Sequence, residues 1–77
     1  MHDLQARLGK CFSAIFPELR VNQISGAHPG SVKEWDSVAT VTLFAVIEEE
    51  FGTAIDIDDL GSGLSFENIL ECLQRKH

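Results

Sequence analysis

The sequence predicts an all-α fold, a small four-helix bundle of three main helices and one short helix. Three segments carry apolar residues at three- and four-residue spacing, which is the pattern of a helix with one buried face. Helix-starting residues precede these segments at Asp3, Asp36 and Ser65, and stop signals follow at Pro17 and Gly52. With 77 residues and 44% apolar content, the chain suits one small folded domain and is too apolar for typical disorder.

The first predicted helix covers residues 3–16. Asp3 can cap its start, and Pro17 ends it because the residue before a proline avoids helical geometry. Gly9 weakens its middle by about 1 kcal/mol relative to alanine. The apolar face of this helix comprises Leu4, Leu8, Cys11, Phe12, Ile15 and Phe16.

A long loop is expected over residues 17–36, where the helical pattern stops. Residues 25–31 are rich in glycine, serine and proline, which is typical of turns. We expect Leu19, Val21 and Ile24 to hold this loop against the core. Loops this long in so small a domain are often functional.

The second main helix is predicted over residues 37–51, between an N-cap at Asp36 and a C-terminal cap at Gly52. It has two apolar faces at helical spacing. The face expected to point to the core comprises Thr40, Leu43, Phe44, Ile47 and Phe51. The nearly opposite face, with Glu48 beside it, comprises Val38, Val41 and Ala45. Because one small bundle cannot bury both faces, the second face is either covered by the long loop or open to a partner; we favour a partner.

The remainder of the chain predicts two further helices. A short helix is expected over residues 57–61, and the stretch Gly61–Gly63 is expected to form a hinge. Ser65 then caps a last helix over residues 66–75. Arg75 and Lys76 near its end suit the negative pole of the helix dipole.

Acidic residues dominate the charge of the chain. The net charge is −6, and half of the twelve acidic residues lie between Glu48 and Asp59 with no lysine or arginine among them. This pattern excludes an ordinary nucleic-acid-binding surface, which needs a basic stripe. A field of one sign steers basic partners, although an acidic face that only keeps the protein soluble fits the charge as well.

Targeting signals and reactive cysteines are not evident in the sequence. No apolar run reaches the roughly 18–20 residues that cross a bilayer, so we expect no membrane insertion. The polar N-terminus shows no secretory signal, and we expect a cytoplasmic monomer. Cys11 and Cys72 lack C-x-x-C spacing and are interpreted as free, partly buried thiols.

Ser37 is the candidate functional residue. A hydroxyl in the first turn of a helix lies near backbone N–H groups that have no partner inside the helix. A phosphate attached there is stabilised by those donors and by the helix dipole, whereas the neighbouring Asp36 carboxylate repels it. Taken alone, an Asp-Ser pair at a helix start such as Asp36–Ser37 is far more often a simple capping pair.

The chain resembles the acyl carrier protein family at this point. The resemblance covers nearly all 77 residues in size, acidity and the order helix, long loop, helix. It includes the stretch Trp35–Val38, in which Val38 replaces the leucine of the family's Asp-Ser-Leu motif. It continues through Leu43–Gly52, which is similar to the second helix of many carriers. Ala39 and Thr42 stand where many fatty-acid carriers are acidic, which suggests a specialised discrete carrier.

The resemblance implies that Ser37 receives 4′-phosphopantetheine from coenzyme A through a phosphopantetheinyl transferase. The chain would then have no catalytic residue of its own, and it would carry acyl groups as thioesters for fatty-acid, polyketide or related pathways. Asp36 falls where the transferase recognises such carriers. The positions that meet partner enzymes with basic docking patches are Val38, Val41, Ala45, Glu48 and Glu49. Positions that line the core, where a carrier can shelter an acyl chain, are Leu43, Phe44, Ile47 and Phe51.

Three alternatives compete with this interpretation. Asp56, Asp58, Gly61 and Glu67 match parts of a calcium-binding EF-hand loop, but Leu60 occupies a ligand position, so only weak divalent-cation binding is plausible. A hydrolase using Ser37 with His28 lacks a Gly-x-Ser-x-Gly motif and has little chain from which to build a pocket. A helical interaction module without a prosthetic group predicts the same bundle and the same exposed apolar face.

Overall fold

The part of the chain that the structure describes contains three long helices and two short ones. The computed structural model describes residues 3–60 and 63–76, with α1 at Asp3–Ile15, α2 at Val21–Ile24, α3 at Ser37–Phe51 and α4 at Phe66–Lys76. A 3₁₀ helix spans Ile57–Leu60 between α3 and α4. These elements form a small helical bundle, and no strand occurs in the described ranges. The predicted fold class is therefore confirmed.

The short helix α2 corrects the expectation of an uninterrupted loop over residues 17–36. It is a single turn, and the backbone N–H of Arg20 at its start donates to Gln23 Oε1 at 2.9 Å. Ile24 closes the turn by donating its backbone N–H to the Arg20 carbonyl at 3.2 Å. A four-residue helix is too short to show a repeating apolar pattern, so periodicity could not reveal it.

Both expected anchors of this segment that the structure describes pack on the core. Ile24 is buried and Leu19 is half-buried against the core cluster. The side chain of Val21 lies outside the described part of the structure. The segment is therefore held onto the bundle by one apolar contact just before its single helical turn and another at the last residue of that turn.

Most helix ends lie within one residue of the positions that local sequence signals predicted. α1 ends at Ile15, one residue before the predicted end, and α4 extends to Lys76, one residue beyond it. The Ser65 hydroxyl accepts the Asn68 backbone N–H at 3.1 Å, which confirms the predicted cap. The predicted cap by the Asp3 side chain, the helix end at Gly61 and the Gly61–Ser62 part of the hinge lie outside the described residues.

The core forms where α1 packs against α2, α3 and α4. Its centre is aromatic: the Phe12 ring meets Phe66 edge-on with centroids 5.0 Å apart and meets Trp35 edge-on at 5.4 Å. Such contacts add about 0.5–1.5 kcal/mol each beyond area burial. The fully buried side chains with the largest volume are Phe12, Phe66, Leu8, Leu43, Ile47, Ile69, Leu73 and Cys72.

Arg7 connects α1 to the C-terminal end of α3. Its Nε donates to Glu50 Oε2 at 2.8 Å, and its Nη2 donates to the Glu50 backbone carbonyl at 2.6 Å. The guanidinium also lies over the Phe51 ring, 4.6 Å from the centroid.

The two cysteines are free thiols and are buried more completely than expected. Burial raises the pKa of the Cys11 thiol above its ordinary value, and the negative charge of Glu50 acts in the same direction. A thiol held in its neutral form is a poor nucleophile. Across the residues that the structure covers, no helix has the length and apolar character needed to cross a membrane.

Candidate functional site at the start of α3

The start of α3 is fixed by hydrogen bonds of Asp36. Its backbone is extended, and its carboxylate Oδ1 accepts the Ala39 backbone N–H at 2.8 Å. Its backbone carbonyl accepts the Thr40 N–H at 2.9 Å, which begins the helical ladder. At the other end, Gly52 adopts a left-handed conformation with φ of 66° and donates its N–H to the Glu48 carbonyl. Both predicted caps are confirmed.

A second network connects this helix start to the core. The buried indole of Trp35 donates its Nε1–H to Thr40 Oγ1 at 2.9 Å, and the Thr40 hydroxyl donates to the Asp36 carbonyl at 2.9 Å. Trp35 itself packs against the rings of Phe12 and Phe16. The aromatic core therefore fixes the backbone on both sides of Ser37.

Ser37 is the first residue of α3, and its side chain is exposed. Among the described residues, none forms a hydrogen bond with its hydroxyl. The backbone N–H groups of Ser37 and Val38 likewise meet no acceptor in the described ranges, as expected for the first turn of a helix. Ser37 thus presents a free hydroxyl beside two free N–H donors.

The second apolar face of α3 is open. Val38 and Val41 are 72% and 70% exposed, and Ala45, Glu48 and Glu49 are exposed as well. The segment between α1 and α3 does not cover this face, which was the other outcome considered. The face therefore forms an apolar surface with carboxylates toward its C-terminal end, and we call it the valine face.

The opposite face of α3 enters the core less uniformly than the periodicity predicted. Leu43, Ile47 and Phe51 are buried, whereas Thr40 and Phe44 are only half-buried. The Thr40 hydroxyl accepts the hydrogen bond from the Trp35 indole, and Phe44 lines a surface groove. The helix therefore has a buried side, an exposed side and a groove between them.

This groove runs beside Ser37 and has a volume of about 530 Å³. Its lining is mainly apolar, and it includes Ile57, which is 58% exposed. We call it the serine groove; its lining residues are Pro29, Trp35, Asp36, Ser37, Thr40, Val41, Phe44, Asp56, Ile57 and Leu64. Sequence reasoning missed it because the residues come from segments far apart in the chain, and no local pattern connects Ile57 to Ser37.

The structure gives the hydrolase alternative no support. His28 Nδ1 accepts the Gly30 backbone N–H at 3.1 Å, within the turn that His28 itself begins. No hydrogen bond joins His28 to Ser37 in the described ranges. No described residue therefore contacts the Ser37 hydroxyl as a general base.

The described residues give the divalent-cation alternative no support either. In the part of the chain that the structure describes, no three His, Cys, Asp or Glu residues are grouped to hold a metal ion. Asp59 is already engaged, because its Oδ2 accepts the Asp56 backbone N–H and lies 3.7 Å from Lys76 Nζ. Gly61, the sixth position of the suggested loop, lies outside the described residues.

The predicted site residues lie along one side of a single helix. Asp36 and Ser37 stand at its start, and the valine face follows toward Glu49. Comparisons of the chain with protein-family models, with curated proteins and with solved structures found no match of any of the three kinds. The chemistry of this surface is therefore inferred from its own residues.

Proposed function

We propose that this chain is a carrier of acyl groups and that Ser37 is the point at which 4′-phosphopantetheine is attached. The observation that carries the proposal is the exposed hydroxyl of Ser37, which has no hydrogen-bond partner among the described residues and belongs to the lining of an apolar groove. A serine that acts as a nucleophile in its own active site needs a base, whereas one modified by another enzyme needs only access. The sequence resemblance to acyl carrier proteins agrees with the second role.

The donor set at the start of α3 fits a phosphoester. The free N–H groups of Ser37 and Val38 are suited to a phosphate oxygen, and the positive pole of the helix dipole favours its charge. The Asp36 carboxylate opposes that charge, but its Oδ1 is engaged with the Ala39 N–H. We infer that Asp36 serves as a cap and as a recognition group for the transferase.

When bound, the prosthetic group supplies a thiol that holds an acyl group as a thioester. The chain's own residues provide a place for an apolar group beside the attachment point: Phe44, Val41 and Ile57 line the serine groove within the same depression as Ser37. Burying an apolar chain there is favourable by about 25 cal/mol per Å² removed from water. The groove is open to solvent, so a bound group can leave it for a partner enzyme.

The valine face is suited to docking of those partners. Two valines that are about 70% exposed are costly to leave in water and gain free energy when a partner covers them. Glu48 and Glu49 at the far end of the face favour a basic surface on the partner. Because Val41 belongs both to this face and to the lining of the serine groove, a partner that covers the face also reaches the groove.

Mass spectrometry after incubation with coenzyme A and a broad-specificity phosphopantetheinyl transferase tests the proposal. We expect the mass to rise by one phosphopantetheine, and we expect Ser37→Ala to abolish the gain. Ser13→Ala is the matched control, because Ser13 is also an exposed helical serine and the variant should be modified normally. An unchanged mass in the folded wild-type protein contradicts the proposal.

A second candidate function is an interaction module without a prosthetic group. The exposed valine face is the observation that favours it, since such a surface needs no modification of Ser37 to bind a partner. The same mass measurement separates the two functions. A partner captured equally by the wild-type protein and Ser37→Ala, together with an unmodified Ser37, identifies the interaction module.

A further inference from the structure

A second groove lies along α1, and Ile24 and Phe66 belong to its lining. Its volume is about 420 Å³, within the range of small-molecule sites, and its lining is mainly apolar. We call it the glycine groove; its lining residues are Gln5, Ala6, Gly9, Lys10, Ser13, Ile24, Ser25 and Phe66. It shares none of them with the serine groove.

Gly9 is not required by the fold. A glycine inside a helix costs about 0.5–1 kcal/mol relative to alanine. Gly9 does not have a positive φ, and a Cβ placed on it meets no atom within 4 Å. Neither backbone conformation nor close packing explains the residue, and it lines the glycine groove together with Ile24 and Phe66.

The charge at this groove differs from that of the rest of the protein. The chain has a net charge of −6, yet among the residues that the structure describes no carboxylate lines the glycine groove, and the one charged lining residue is Lys10. Lys10 forms no ion pair with the described residues. The hydroxyls of Ser13 and Ser25 and the amide of Gln5 add polar groups around an apolar floor.

We propose that the glycine groove binds a small amphiphilic monocarboxylate, with its alkyl chain over Gly9, Ile24 and Phe66 and its carboxylate beside Lys10. The alkyl chain removes apolar surface from water, which supplies most of the affinity. The Lys10 ammonium selects an anionic head over a cationic one. This site does not depend on the modification of Ser37.

Octanoate below its micelle concentration is the probe, and an amide NMR titration is the measurement. We expect saturable shifts at Gly9, Ser25 and Phe66, without shifts on the valine face. Heptylammonium has the same heptyl chain and the opposite charge, and we expect it to bind about two- to five-fold more weakly. Shifts confined to the valine face, or equal binding of the two amphiphiles, overturn the proposal.

Gly9→Leu is the variant that blocks the groove. Its Cβ has open space, its side chain lies where the ligand would lie, and leucine is a better helix former than glycine. We therefore expect an equal or higher melting temperature by circular dichroism together with loss of octanoate binding. Ala14→Leu is the matched control, because Ala14 is an exposed α1 residue that lines neither groove.

The contribution of charge is tested separately with Lys10→Met, which keeps an unbranched side chain. We expect octanoate to bind about two- to five-fold more weakly and the preference over heptylammonium to disappear. Octanoate binding that survives in Gly9→Leu places the ligand elsewhere and overturns the proposal. A preference for octanoate that persists in Lys10→Met overturns the assignment of the carboxylate to Lys10.

Discussion

Replacing Asp36 separates its structural role from its proposed recognition role. Asp36→Ala removes the 2.8 Å bond to the Ala39 N–H, a cap interaction that contributes about 1 kcal/mol. It also removes a negative charge at the positive pole of α3, which adds about 0.3–1 kcal/mol. The free energy of unfolding should therefore fall by about 1–2 kcal/mol. For a domain of this size, each kcal/mol lowers Tm by roughly 4–8 °C.

Asp36→Asn keeps the capping oxygen and removes only the charge. Asparagine caps helices about as well as aspartate, so we expect a loss of no more than about 1 kcal/mol. The matched control is Asp58→Ala, because the Asp58 side chain is exposed and forms no hydrogen bond or ion pair in the described ranges. It removes the same charge from an acidic chain without removing a cap.

Thermal and urea unfolding followed by circular dichroism measure the stability of these variants. An Asp36→Ala variant as stable as Asp58→Ala refutes the argument that the cap stabilises α3. The rate of phosphopantetheine transfer, measured by mass spectrometry, then tests recognition. We expect Asp36→Asn to fold and to be modified slowly, and modification at the wild-type rate would show that Asp36 is a cap alone.

Three further outcomes are expected. Thr40→Val should lower the free energy of unfolding by about 1–3 kcal/mol in urea melts, because it leaves the Trp35 N–H without an acceptor; an unchanged midpoint contradicts this. Glu48→Lys should weaken binding of a basic partner and reduce its salt dependence without lowering Tm, and a melted fold would instead make Glu48 structural. The neutral Cys11 thiol should contribute its full share of stability below its ordinary pKa of 9.0. That contribution should be lost as pH rises through the raised pKa of the thiol in the folded state. The free energy of unfolding from urea melts should fall as pH rises from neutral to alkaline, and this fall should be smaller in Cys11→Ala. An equally large fall in the variant would refute the expectation.

The sequence determined features that depend on residues close together in the chain. The limits of α3 followed from Asp36 and Gly52, whose hydrogen bonds reach only three or four residues along the backbone. Ser65 placed the start of α4 in the same way. The position of Ser37 at a helix N-terminus could therefore be predicted, and the role proposed for it stays a prediction.

Tertiary structure decided the features that depend on distant residues. Arg7 and Glu50 are 43 positions apart, and nothing near either one predicts their contact. Each groove combines residues from separate helices, so its existence depends on how those helices pack. Backbone hydrogen bonds within a turn are specified locally, whereas burial and concavity are specified only when the whole chain has closed around its core.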